Sequence, residues 1–277
     1  MQDKINILFI GDIFGTPGIL TVEKILPDLI KKNNIDFVIA QGENVTGRKG
    51  LDQEDYNRLK KIGVNCFTMG NHVWANEDIY NIIENEDIIR PFNIESSYPG
   101  HGTSVFKLKN FLLRVSSLLG NTFNELNHPW NESVALPFLK SAHKLMEYND
   151  TDFHFIDFHA ETTSEKYVLG LEVDGTIDAV CGTHTHVQTN DDHVLPKGTC
   201  YITDVGTVGP IDSAIGANFQ EVRDKMLDPS SRKRFLVSQN NTQFNAVLIT
   251  LQKNGLKEKT NLIRKINIFD IDIYEKK

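Results

Sequence analysis

The chain has 277 residues, enough for one large domain or two small ones, with a sizeable core either way. Hydrophobic residues make up 40% and charged residues 24%, and the formal net charge is −8, so the bulk numbers give no case for a general nucleic-acid or membrane-surface binder. Three widely spaced cysteines, Cys66, Cys181 and Cys200, exclude a disulfide framework and predict free thiols.

The first half alternates buried-strand runs with amphipathic helices. Ile5 to Ile10 is an apolar run, interrupted only by Asn6, that ends in Gly11-Asp12. It lacks the charged, apolar and cleavage regions of a signal peptide, and no run reaches the ~20 apolar residues of a membrane span. A cytoplasmic location is therefore expected. Val22, Ile25, Leu26, Leu29 and Ile30 follow at helical spacing, with Pro27 predicted to kink or split the helix. Asp36 to Ala40 reads as a second strand, ending at Gly42-Glu43-Asn44. Asp52 caps a helix carrying Tyr56, Leu59 and Ile62. Val64 to Met69 is a third strand, ending at Gly70-Asn71-His72, and Asn76 caps a helix with Ile79, Ile82 and Ile83.

Between about residues 90 and 130 the pattern changes. Val105 to Val115 suggests strands or a hairpin around Lys109-Asn110, and the polar stretch Asn121 to Glu132 reads as a loop or small cap. Helical spacing resumes from Leu136 to Met146. Asp152 to Phe158 is a strand ending at His159, and another begins at Ala179 and ends at Gly182-Thr183-His184. Tyr201 to Thr203 leads into Asp204. Arg232-Lys233-Arg234 reads as a solvated loop. Ala246 to Leu251 and Leu262 to Ile268 form a closing antiparallel pair. Strands alternating with helices, then antiparallel strands, imply one α/β domain over 1–277 with a mixed sheet or two packed sheets.

Five apolar runs end in metal-ligand residue types: Asp12, then Glu43-Asn44, then Asn71-His72, then His159, then His184-Thr185-His186. Ligands collect outside the carboxyl ends of strands in α/β sheets, so these ends converge by architecture. Each alone has an ordinary reading as a cap, a turn former or a structural histidine. As a set they offer hard carboxylate oxygens, neutral amide oxygens and imidazole nitrogens. Such a set without thiolates suits Fe, Mn, Zn or Co. His101, His128, His143, His154 and His193 read as structural or solvated, although His101 and His193 stand where a substrate could be reached.

At this point the chain resembles the metallophosphoesterase (calcineurin-like) superfamily, and within it the YmdB-type phosphodiesterase branch. The resemblance rests on GDIFG at 11–15, GEN at 42–44, GNHVW at 70–74, DFHAETTSEK at 157–166, GTHTHVQT at 182–189 and ITDVG at 202–206. It implies a two-sheet sandwich flanked by helices, with the region from about 90 to 130 as a small cap. It also implies two divalent transition-metal ions, one on Asp12, Glu43, Asn44 and His186 and one on Glu43, Asn71, His159 and His184. Glu43 would bridge them, and the catalytic imidazole would be His72, facing the leaving oxygen. The implied reaction is hydrolysis of a small phosphate ester, a cyclic nucleotide above all, by metal-activated hydroxide, with a link to RNA turnover. A phosphomonoesterase or nuclease on the same site, or a catalytically weak regulatory protein of the same fold, is the alternative. A homo-oligomer is the expected assembly. An amidohydrolase would tend to carry its His-x-His near the start of the chain, whereas here it lies at 184–186. The branch departs from the superfamily where Phe14 replaces a histidine and Glu43 an aspartate. This chain departs from the branch at Ile19 and Ala75, which puts substrate contacts in doubt rather than metal binding.

Overall fold

A computed structural model describes residues 4–254 and 258–274. The apolar runs read above become the strands of two sheets. The first sheet runs, edge to edge, through Asp12–Ile13, Thr207–Pro210, Thr242–Asn254, Lys4–Ile10, Phe37–Gln41, Cys66–Thr68 and Ile88–Ile89. Leu262–Ile271 and the short Glu258–Lys259 also pair with Thr242–Asn254 in antiparallel fashion. The second sheet runs through His193–Val194, Cys200–Ile202, Ala179–Thr183, Phe153–His159, Phe111–Leu119 and Thr103–Leu108.

The alternation of side chains along Lys4–Ile10 explains the layering, because successive residues face opposite sides of a strand. Ile5, Ile7 and Phe9 pack into the core between the sheets, against Phe153, Phe155, Leu113 and Val115 of the second sheet. Leu8 and Ile10 face the other way, onto Ile19, Val22 and Leu26 of the helix Gly15–Asn33 and Leu59 of the helix Gln53–Lys61. The second sheet buries its outer face under the helices Phe138–Met146 and Thr163–Glu172 through Ala142, Leu145 and Leu169. The result is the expected sandwich of two sheets flanked by helices.

Several local expectations are met and some corrected. Asp52 caps its helix by accepting from the Asp55 N–H. Asn76 caps only a single 3₁₀ turn, Glu77–Asn81, by accepting from the Asp78 N–H. Pro27 does not split its helix, which is continuous over Gly15–Asn33. The backbone hydrogen bond lost at proline is offset by the buried face that Ile19, Val22 and Leu26 press on the sheet. The hairpin turning at Lys109-Asn110 pairs Leu108 with Phe111 and forms the edge of the second sheet, while the irregular stretch follows it from 120 to 137. The helices Thr163–Glu172 and Phe219–Leu227 lie where the apolar spacing predicts none. All three cysteines are free and buried. Among the described residues no helix is long and apolar enough to cross a membrane.

What matters for the site is strand direction. Lys4–Ile10, Phe37–Gln41 and Cys66–Thr68 run parallel, and so do Phe111–Leu119, Phe153–His159, Ala179–Thr183 and Cys200–Ile202. Their carboxyl ends bring Asp12, Glu43, Asn71, His159 and His184 to one edge of the sandwich.

Candidate metal centre

All seven expected ligands meet at that edge. Asp12, Glu43, Asn44, His159 and His186 are buried, and Asn71, His72 and His184 are half-buried. His159 Nε2 lies 3.0 Å from Glu43 Oε1, 2.9 Å from Asn71 Oδ1 and 2.9 Å from His184 Nδ1. One ligand atom from each of Glu43, His159 and His184 falls within 4.8 Å of the others. A second group adjoins the first. Asn44 Nδ2 lies 3.1 Å from Asp12 Oδ1, 3.4 Å from His186 Nε2 and 3.4 Å from Glu43 Oε1. Glu43 Oε1 is thus the atom common to both groups, while Oε2 accepts the His72 backbone N–H at 2.8 Å.

The packing depends on Gly70. A Cβ there would stand 2.4 Å from Glu43 Oε2 and 2.4 Å from His159 Cδ2, so only glycine lets the carboxylate and the imidazole close over the chain. The histidines after Thr183 do not continue the strand. His184 and His186 have φ of 103° and 62°, in the left-handed region that non-glycine residues avoid. The intervening residue pins this strained turn. Asp204 Oδ2 accepts from the Thr185 N–H at 3.0 Å and the Thr185 hydroxyl at 2.8 Å, and its Oδ1 from the Gly206 N–H. Lys166, itself buried, donates to Asp204 at 2.7 Å.

Each histidine has its outer nitrogen committed. The Thr183 hydroxyl donates to Asp157 at 2.7 Å, so it accepts from His159 Nδ1, 3.0 Å away. Gln41 Nε2 also approaches that nitrogen, at 3.2 Å, while the Gln41 oxygen accepts from the Glu43 N–H. His184 Nε2 meets Glu161 Oε2 at 3.0 Å. His186 Nδ1 donates to the Ile215 carbonyl at 2.9 Å. With protons outward, lone pairs on His159 Nε2, His184 Nδ1 and His186 Nε2 turn inward, onto carboxylate and amide groups. His159 Nε2 can carry at most one hydrogen for three acceptors. Such a convergence of lone pairs fits a divalent cation, with the outer partners orienting its ligands.

The electrostatics agree. Burial opposes charging His159, but Glu43, Asp12 and Asp157 together lift it to about 9, so these carboxylates draw positive charge, a proton or a cation, onto its inward nitrogen. Burial likewise opposes His186, and Asp12 and the Ile215 carbonyl raise it. Burial and the neighbouring His159 push His184 down to about 3, so it is a neutral imidazole. Burial also lowers His72, with Glu43 opposing. Burial works to raise Asp12 and Glu43, yet the surrounding imidazoles hold both carboxylates below their ordinary range. Two fully buried carboxylates in one place demand countercharge.

Above this edge lies a cavity of about 620 Å³. It is lined by Glu43, Asn44, His72, His184 and His186, by the apolar Phe14, Ile215 and Phe235, and by the basic Arg48 and Lys49. His101 and His193 do not line it: His101 contacts the Glu84 carbonyl, and His193 stacks on Tyr167. Beside the site Trp74 stacks between Tyr80 and Tyr98, with centroids at 5.6 and 5.4 Å, and meets Trp130 edge-on at 5.9 Å. The Trp130 indole N–H donates to the Asn71 carbonyl at 2.7 Å.

Sequence reading missed the outer partners. Asp157 was within reach, because strand alternation puts it on the same face as His159. Glu161, Thr183, Lys166 and Asp204 sit in the quoted motifs but carry no local sign of what they touch.

A family model described as YmdB-like protein matches residues 8–266. The chain is 39% identical over 269 residues to a 2′,3′-cyclic-nucleotide 2′-phosphodiesterase of Bacillus subtilis strain 168, covering 95% of this chain and 99% of that protein. Its fold is similar to the crystal structure of a phosphatase from Mycoplasma pneumoniae, with a TM-score of 0.88 and 37% identity over 98% of this chain and 96% of that one. A protein from Thermus thermophilus is similar with a TM-score of 0.81 and 33% identity, over 94% and 99% of the two chains.

Proposed function

Because the chain belongs to the YmdB-like protein family, we propose that this phosphoesterase is a phosphodiesterase with two divalent transition-metal ions, acting on cyclic nucleotides. The observation that carries the reading is the inward convergence of three histidine nitrogens, two carboxylates and the Asn71 oxygen, with the Asn44 amide beside them and Glu43 Oε1 common to both groups. Asp12, Glu43, Asn44 and His186 would hold one ion, and Glu43, Asn71, His159 and His184 the other. A side-chain amide presents nitrogen or oxygen by a half-turn, so Asn44 can serve as an oxygen ligand. Two bound ions would clamp the attacking and leaving oxygens and acidify the water between them.

This chain's own residues do the rest. His72 lines the cavity with its backbone N–H held by Glu43. Its ring protonates the departing ribose oxygen. One water adds across the P–O2′ bond: phosphorus gains the hydroxyl oxygen and the 2′ oxygen leaves as an alcohol. Phe14, Ile215 and Phe235 offer an apolar wall for the base, and Arg48 and Lys49 offset phosphate charge. Cleavage of RNA through its 2′-hydroxyl produces 2′,3′-cyclic ends, which ties the substrate to RNA turnover. Free, buried thiols suit the reducing cytoplasm.

The test compares the purified protein, the chelated protein and protein reloaded with Mn, Fe or Zn. Substrates are a 2′,3′-cyclic nucleotide, a 3′,5′-cyclic nucleotide and a phosphomonoester. Hydrolysis of the 2′,3′-cyclic nucleotide, lost with chelator and restored by metal, is expected. Chelator-insensitive turnover, or a preference for the monoester, would overturn the reading.

A further inference from the structure

Two residues of the cavity wall, Arg48 and Phe235, also line a second, more open hollow of about 700 Å³. Its other walls are Lys225, Ser231, Arg232, Lys233 and Arg234. A solvated loop accounts for the exposure of the Arg232-Lys233-Arg234 run. It does not account for its placement against the mouth of the site, in a chain whose net charge is −8.

The cations there are not equally engaged. Lys233 pairs with Asp224 at 2.7 Å, and Lys225 donates to the Pro229 and Ser231 carbonyls at 2.6 and 2.8 Å. Arg232 and Arg234 are exposed, and among the described residues neither has a carboxylate partner. Arg48 also lacks one there; its guanidinium lies 5.7 Å from the Phe235 ring centroid, at the join of the two cavities. Arginine forks without an anion, gathered round a concave surface, match the oxygens of a phosphate.

Resting on the phosphodiesterase reading, we propose that this hollow is a second phosphate subsite, one that takes the group on the 5′ side of the substrate. A nucleotide whose 2′,3′-cyclic phosphate lies over the metal centre carries its next phosphate on the 5′ oxygen of the same ribose. That phosphate is either a terminal monophosphate or the next link of an RNA chain. The substrate class is then a cyclic-ended nucleotide with a 5′ phosphate, rather than a bare cyclic nucleoside.

The experiment measures kcat/KM for metal-loaded protein on adenosine 2′,3′-cyclic phosphate, the same compound with a 5′-phosphate, and a trinucleotide ending in a 2′,3′-cyclic phosphate. Each is run with wild type and with the double variant Arg232→Ala, Arg234→Ala. Wild type should favour a substrate with the second phosphate by roughly tenfold, through KM. The preference should shrink with added salt. In the double variant the ratio should fall toward one, and a ratio is insensitive to partial loss of folded protein. A gain on either phosphorylated substrate supports the subsite, and the larger gain identifies its source. A wild-type ratio near one, or a ratio the double variant leaves intact, overturns the subsite while leaving the phosphodiesterase reading standing. Failure to cleave all three would overturn that reading and this inference with it.

Discussion

Replacing Gly70 by alanine adds one methyl group at the point where Glu43 and His159 of the candidate metal centre meet. The new Cβ would meet Glu43 Oε2 and His159 Cδ2 at 2.4 Å each and His159 Cγ at 2.5 Å. Comfortable carbon contacts lie near 3.5–4.0 Å, so both groups must withdraw by about 1 Å. Neither is free to do so. Glu43 is held by the His72 N–H, and His159 by Thr183 and Gln41. The Gly70 backbone is outside the left-handed region, so alanine adds contact and no backbone strain. Overpacking of this kind costs about 1–3 kcal/mol of stability, and a 1 Å misplacement at a catalytic site costs on the order of 10²-fold in rate. Metal content after loading, turnover of bis(p-nitrophenyl) phosphate and urea unfolding should be measured on one preparation. The expected result is a folded protein with turnover down about a hundredfold and depleted metal. Wild-type turnover with a full metal complement would refute the claim that Glu43 and His159 act from these positions.

His72→Ala should keep its metal and lose about 10²–10⁴ in turnover on cyclic nucleotides; the loss should be smaller with nitrophenolate, which leaves without a proton, and equal losses would reject the acid role. Lys166→Met strands the buried Asp204 carboxylate without its countercharge and should cost about 3–5 kcal/mol in urea unfolding, whereas a change under about 1 kcal/mol would match an exposed pair instead. His154 is buried against Ser116 and pushed by burial to about 3, with Arg114 adding to the shift. Its folded pKa lies below the unfolded value near 6.5, so the unfolded chain takes up the proton first and stability falls as pH drops through that window. Between pH 7 and 4.5 wild type should lose roughly 2–3 kcal/mol more than His154→Gln, and parallel pH profiles would contradict the shift.

The fold was legible where burial imposes a period on the chain. Ile7 to Ile10 and Ala179 to Cys181 are buried on both faces and read as unbroken apolar runs. The helix Phe219–Leu227 was not legible because it buries no side chain, so no apolar stripe marks it. Pro27 misled for the opposite reason: a local penalty was outweighed by packing that spacing alone cannot weigh. The seven clustered residues could be picked out because strand ends announce themselves by glycine and a polar residue. Their partners could not. Thr183 faces Asp157 across neighbouring strands, and Lys166 reaches Asp204 across 38 positions, and nothing local in the chain encodes either meeting.

The aromatic stack beside Asn71 has a spectroscopic consequence. The chain holds two tryptophans, Trp74 and Trp130, and both belong to that stack. All indole emission therefore originates from one locality, a hydrogen bond away from the residue-71 backbone. Intrinsic fluorescence of this protein reports on the neighbourhood of its candidate metal centre before it reports on the fold as a whole. Loading of a quenching transition ion can be followed by emission alone, with no label attached.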